Sequence, residues 1–161
     1  MTLPPDRGHI TTEQPHADTH GLDTLSTIEC VELLAIDHVQ AIDAVQLASP
    51  VIASFIDDVH QRVVDGGRLI YIGSGTSGRL GVLDAAECPP TFQSDPDLII
   101  ALIAGGDSAL RKSSEAAEDD PEGATDVLRE LNLNAKDTVV GIAAGGTTPW
   151  VIGGLQFAKE H

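Results

Sequence analysis

The sequence predicts a doubly wound α/β fold, a parallel sheet flanked by helices and preceded by a helical segment. Three aliphatic runs carry that expectation: "RLIYIG" (Arg68 to Gly73), "LIIALIAGG" (Leu98 to Gly106) and "TVVGIAAGG" (Thr138 to Gly146). Each closes on glycine and leads into a segment with helical character. Strands apolar on both faces belong to a parallel sheet covered from both sides. Composition agrees, since 161 residues at 42% hydrophobic, with one Trp, one Tyr and three Phe, describe a domain with an aliphatic core. The formal net charge of −16 argues against nucleic acid and anionic membrane surfaces as partners. Any anionic ligand must then be held by a local feature.

Residues 1–22 carry Pro4, Pro5, Pro15, His9, His16 and His20 without sustained periodicity and read as an irregular arm. His16, Asp18 and His20 lack the context of a metal site, and no metal is expected. Residues 23–66 read as three helices. Ser26 with Glu29 forms a capping-box pattern ahead of Ile28, Val31, Leu33 and Leu34. Asp37 can cap a second helix, and Ser49-Pro50 can open a third that Gly66-Gly67 ends. Residues 67–161 form the α/β segment. Its helices are expected after Ser77, over about 107–117, after Asp120-Pro121 and from Thr148 to the end. Three strands are few for such a sheet, and the last helix is expected to leave Trp150, Ile152, Leu155 and Phe157 exposed, so the chain reads as partial or in need of a partner. Cys30 and Cys88 show no metal spacing, residues 1–20 have no apolar signal core, and no apolar run approaches the roughly 18 residues of a membrane span, so a soluble cytoplasmic protein is expected.

"YIGSGTSGRLGVLDAAECPPTF" places Gly73, Gly75 and Gly78 in a GxGxxG spacing. A strand turning through glycines into a helix gathers backbone N–H groups and the positive end of a helix dipole, which attracts anions. A dinucleotide would also need an acid closing the second strand about 20 residues on. Asp107, 29 positions after Gly78, fits poorly. Ser74, Thr76 and Ser77 add three hydroxyls suited to a terminal phosphate, which favours a small phosphorylated ligand over a nucleotide. Two carboxylates bear weighing against a role as solvated helix ends. Glu87 lies where Pro89 and Pro90 are expected to stop the loop's helix, and Glu118 lies in "SSEAAEDD". Spacing alone leaves both even.

The stretch "GRLIYIGSGTSGRLGVLDAAECPPTF" closely resembles the signature of the bacterial N-acetylmuramic acid 6-phosphate etherases, a family of the sugar isomerase (SIS) superfamily that also holds the glucokinase regulatory proteins. The likeness continues through "LIAGGDSAL", "EAAEDD" and "DTVVGIAAGGTTPWVIGGLQFA" and resembles the N-terminal half of such a protein. It implies an SIS-type sheet truncated to about three strands. It also implies a homodimer and a cofactor-free lyase that cleaves the lactyl ether of N-acetylmuramic acid 6-phosphate during recycling of cell-wall sugar. By motif, Glu87 takes the acid position and Glu118 that of the second catalytic carboxylate. Ser74, Gly75, Thr76 and Ser77 match the sugar-phosphate loop, joined by Gly145, Thr147 and Thr148 after the third strand. The sequence departs from the family there, reading Ala-Ala-Gly-Gly-Thr-Thr-Pro where members read Ala-Ala-Ser-Gly-Arg-Thr-Pro. The alternative implied by the regulatory branch is a non-catalytic sugar-phosphate sensor.

Overall fold

A computed structural model describes residues 8–113 and 115–161, so residues 1–7 of the arm and Ser114 lie outside the described residues. The chain divides into two compact units, one ending at Asp57 and the other spanning Asp58–His161.

In the first unit the described arm forms three single 3₁₀ turns, Thr11–Glu13, Ala17–Thr19 and Leu22–Thr24. Helix α1, Thr27–Val64, starts here. Its capping box forms as expected: Glu29 Oε2 accepts from the Ser26 N–H at 2.7 Å, and the Glu29 N–H donates to Ser26 Oγ at 3.4 Å. The three expected helices are instead one helix of 38 residues, with Pro50 inside it. The side chains that looked like caps have other partners. Asp37 pairs with His16 Nε2 at 3.1 Å and accepts from Gln40, while Ser49 Oγ donates back to the Val45 carbonyl at 3.1 Å. The helix does end at Gly66-Gly67. Gly66 adopts φ +89°, and the Gly67 N–H donates to Arg62 O while that of Gly66 donates to Val63 O, a Schellman pair.

Helix α1 also corrects the expectation about apolar length. Its best 18-residue window has a mean hydropathy of 1.5, enough by length and composition to cross a membrane. The core helix of a soluble protein meets the same criterion, and none of the residues of α1 is buried here.

In the second unit the expected strands form as β1 (Leu69–Gly73), β2 (Ile99–Ile103) and β3 (Thr138–Ile142). They make a parallel sheet in the order β2-β1-β3, with Leu69 opposite both Ile99 and Thr138. Helix α2, Gly75–Phe92, packs on the face that carries Tyr71, Ile103 and Ile142. Burial first, then a hydrogen bond to Asp84, pushes the Tyr71 phenol up to about 12. Ile70 and Ile72 point to the opposite face and join Ala124, Leu128, Trp150 and Val151 in the core. That face is covered by α4 (Gly123–Glu130) and α5 (Pro149–Glu160), with the short α3 (Glu115–Glu118) before them.

Three expectations change here. Pro89 and Pro90 do not end α2, which runs on to Phe92. A proline forfeits the bond behind it but keeps its own carbonyl as an acceptor, and the Gln93 N–H closes the last turn onto the Pro89 carbonyl. The segment expected as a helix over 107–117 is a 3₁₀ turn, Gly106–Leu110, followed by α3. Trp150 is 4% exposed and Phe157 half-buried, so of the four apolar residues of α5 expected at the surface only Ile152 and Leu155 are there.

One polar junction ties the sheet's entry loops together. Asp137 accepts from the Arg68 N–H at 2.9 Å, from Arg68 Nη2 at 2.7 Å and from the Asn134 N–H at 3.1 Å. Its side chain is 1% exposed and that of Arg68 24%. Burial pushes the carboxyl up, but the Arg68 and Asn134 hydrogen bonds outweigh it and hold it below the ordinary carboxylate range. Asp137→Ala should cost about 2 to 4 kcal/mol in chemical denaturation, the low side of a buried pair because Arg68 is partly solvated. A folded-state pKa below the unfolded value of about 3.9 makes this stabilisation complete above that value and lost as pH falls through the lowered one. The acid loss of stability should therefore be shallower in Asp137→Asn than in the wild type.

Candidate functional site

The turn between β1 and α2 is built from close backbone approach. A Cβ at Gly73 would lie 2.7 Å from the Gly78 nitrogen, and one at Gly78 would lie 2.8 Å from the Gly73 carbonyl oxygen and 2.6 Å from Ile103 Cγ1. Gly75 differs: it has open space around it and needs its φ of +52°. The chain can therefore turn from strand to helix within two residues, with α2 starting at the carboxyl end of the sheet, where open α/β sheets bind ligands.

Ser74 is the N-cap residue of α2, yet its side chain caps no N–H of the first turn. Its hydroxyl instead donates to Glu118 Oε2 at 2.6 Å. The N–H groups of the first turn keep their anion-attracting character. Ser74, Gly75, Arg79, Ser113 and Glu118, with Ala104 and Ala109 beneath, line a small cleft at this point. Glu118 is half-buried at the end of α3. Arg79 Nη2 donates to Ala109 O at 2.8 Å, and Arg79 Nε is shared between Ala109 O and Leu110 O at 3.1 Å each. The guanidinium thus fastens the turn after β2 to the first turns of α2.

The structure brings Ser74, Gly75 and Glu118 together. Thr76 and Ser77 sit in the first turn of α2, the former exposed and the latter half-buried, outside the cleft lining. Gly145, Thr147 and Thr148 follow β3 at the same end of the sheet and do not line the cleft. Glu87 is not brought to Glu118. It is exposed, 13 positions after Ser74 on the same helix, which at 1.5 Å per residue separates them by roughly 20 Å. Sequence reasoning missed Arg79 and Ser113. The signal for Arg79 was available, because it is the one basic residue in "SGTSGRLG".

A family described as the glucokinase regulatory protein N-terminal SIS domain matches residues 51–159. The chain belongs to this SIS-domain family. Among curated proteins it is similar to proteins named N-acetylmuramic acid 6-phosphate etherase. That of Crocosphaera subtropica is 49% identical over 156 residues, covering 97% of this chain and 51% of the relative. That of Gloeobacter violaceus is 50% identical over 156 residues with the same coverage, 97% and 51%. That of Caldanaerobacter subterraneus subsp. tengcongensis is 48% identical over 151 residues, 94% of this chain and 49% of the relative. The chain spans about half the length of these relatives.

In this SIS domain the two kinds of glycine should separate by measurement. Gly73→Ala meets only backbone and should cost about 3 kcal/mol of stability, the top of the overpacking range. Gly75→Ala should cost about 1 to 2 kcal/mol, the left-handed backbone term alone. Equal losses in chemical denaturation would contradict the close-approach account.

Proposed function

We propose that the chain is the N-terminal, sugar-phosphate-binding part of a cytoplasmic lyase that cleaves the lactyl ether of N-acetylmuramic acid 6-phosphate in cell-wall sugar recycling. Residues 67–161 would be the binding domain, 23–66 a helical segment and 1–22 an arm. The observation that carries this reading is the Ser74–Glu118 contact at the start of α2. It sets a carboxylate beside an anion-attracting helix start, as a site that deprotonates a phosphorylated substrate requires. The names of the relatives that cover nearly the whole chain support it.

In this mechanism Glu118 takes the C2 proton, acidified by the C1 aldehyde of the open sugar. Glu87 protonates the C3 ether oxygen as lactate leaves, and water then adds at C3 to give N-acetylglucosamine 6-phosphate. No metal or organic cofactor is needed for these steps. The roughly 20 Å between Ser74 and Glu87 along α2 exceeds what one sugar and two side chains bridge between C2 and C3. A homodimer in which a second copy supplies Glu87 resolves this. Leu83 and Leu80, exposed and one and two helical turns before Glu87 on the same face, offer the apolar surface for that copy.

Calorimetric titration should show binding of N-acetylglucosamine 6-phosphate and not of NAD, and tighter NAD binding would overturn the sugar reading. Ser77→Ala should weaken the sugar phosphate by about 1 to 3 kcal/mol if its hydroxyl bonds a charged oxygen.

The glutamates are tested with the chain joined to the second half of the Crocosphaera relative. Glu87→Ala and Glu118→Ala should each lower lactate release by about 10²- to 10⁴-fold. In deuterated water only Glu87→Ala should still exchange deuterium into C2 of unreacted substrate, and the reverse pattern would swap the roles. Sugar-phosphate binding with no lactate from the wild type would point instead to the non-catalytic sensor.

A further inference from the structure

Half-buried guanidinium groups in an acidic chain normally find a carboxylate. Half-buried Arg68 pairs with Asp137 and the exposed Arg129 with Asp126, while the exposed Arg62 bonds the Ala135 carbonyl. The chain holds 25 acidic residues against nine Lys and Arg. Yet among the described residues Arg79 has no carboxylate within ion-pair distance, and its three hydrogen bonds go to the carbonyls of Ala109 and Leu110 through Nε and Nη2. Both Nη1 N–H groups are without a partner among the described residues. Arg79 is also the only Lys or Arg that lines the cleft with Ser74 and Glu118. The loop after β3, residues 143–149, contains no basic residue at all. The Ser74 hydroxyl hydrogen is already engaged by Glu118, so it is not the donor that neutralises an incoming anion.

We propose that Arg79 is the anion-recognising residue of this site, its guanidinium tied along one edge to the turn after β2 and its remaining N–H groups directed to the phosphate of the bound sugar. The inference rests on the sugar-phosphate reading of the cleft. Two of the three guanidinium nitrogens already bond carbonyls, so the group is pre-oriented and little side-chain freedom is left to lose when the ligand arrives. The same bonds hold Ala109 and Leu110, four and three residues before Ser113, so one side chain both shapes the cleft wall and supplies its positive charge. A local cation is needed because the net charge of −16 repels a dianion at long range.

The test is calorimetric titration of the 161-residue chain with N-acetylglucosamine 6-phosphate and with inorganic phosphate, at low and high salt, for wild type, Arg79→Ala and Arg79→Lys. Arg79→Ala should weaken both ligands roughly 10- to 100-fold at low salt, the range of a charge-assisted bond. The ratio of wild-type to variant affinity should shrink as salt rises, because the lost interaction is one between charges. Arg79→Lys keeps a cation without the planar fork, so it should fall between the two and retain the salt dependence; it carries the test if Arg79→Ala does not fold. Unchanged affinity in either variant overturns the proposal. So does a loss whose size does not vary with salt, the mark of a purely structural residue. Absence of binding by the wild-type chain would instead remove the sugar-phosphate reading, and the role of Arg79 with it.

Discussion

The backbone-to-backbone contact between the end of β1 and the first turn of α2 is the constraint on which the second unit depends. Because neither Gly73 nor Gly78 carries a side chain, the helix starts against the strand it leaves, and the Gly78 N–H still reaches the Ser74 carbonyl at 3.1 Å. Were the helix held off by the width of one methyl group, Ser74 would move with it and lose its 2.6 Å contact to Glu118, some 44 residues downstream. The contact also sets the height of Arg79 against the turn after β2. Three parts of the cleft, from α2, from the end of β2 and from α3, thus share one positional origin.

On the other face the same economy of side chains recurs. A Cβ at Gly153 in α5 would lie 1.8 Å from the Pro121 carbonyl oxygen, and one at Gly123 would lie 2.9 Å from the Trp150 ring. Helix α5 therefore comes against the backbone just before α4 through Gly153, and Gly123 leaves room for the Trp150 indole, which shares the core with Ile70 and Ile72. The sheet is clamped from both faces by glycine contacts, and Asp137 locks its entry end. Its carboxyl terminus, where the cleft opens, carries the polar groups with unmet capacity.

Much of this was legible in the sequence, for identifiable reasons. The three strands were readable because "LIYIG", "IIALI" and "TVVGI" must be apolar on both faces, a pattern that local composition records. The capping box at Ser26 and the Gly66-Gly67 stop were readable because both are bonds within a few residues. Helix α1 was misread at Asp37 and Ser49, since cap residues announce an available oxygen without saying which partner takes it. Pro89 and Pro90 misled in the same way, as a lost N–H weakens a helix without deciding whether it continues. The Ser74–Glu118 and Arg68–Asp137 pairs span 44 and 69 residues, and no local pattern encodes distances of that order. Glu87 was legible as a motif residue, but its remoteness from Glu118 follows only once the length of α2 is known.

The position of Trp150 gives the molecule an optical asymmetry. It is the only tryptophan and Tyr71 the only tyrosine, and both sit in the sheet-containing unit, whereas the sole aromatic ring other than histidine before Asp58 is that of Phe55. Intrinsic fluorescence of this chain is therefore emission from one unit alone, with the indole 4% exposed among Ile70, Ile72 and Leu128 as its source. Far-ultraviolet ellipticity, by contrast, also takes in the 38 residues of α1, most of which lie before Asp58. The two spectra look at different parts of one polypeptide, so a melt followed by both would reveal directly whether the long helix and the sheet lose their order together.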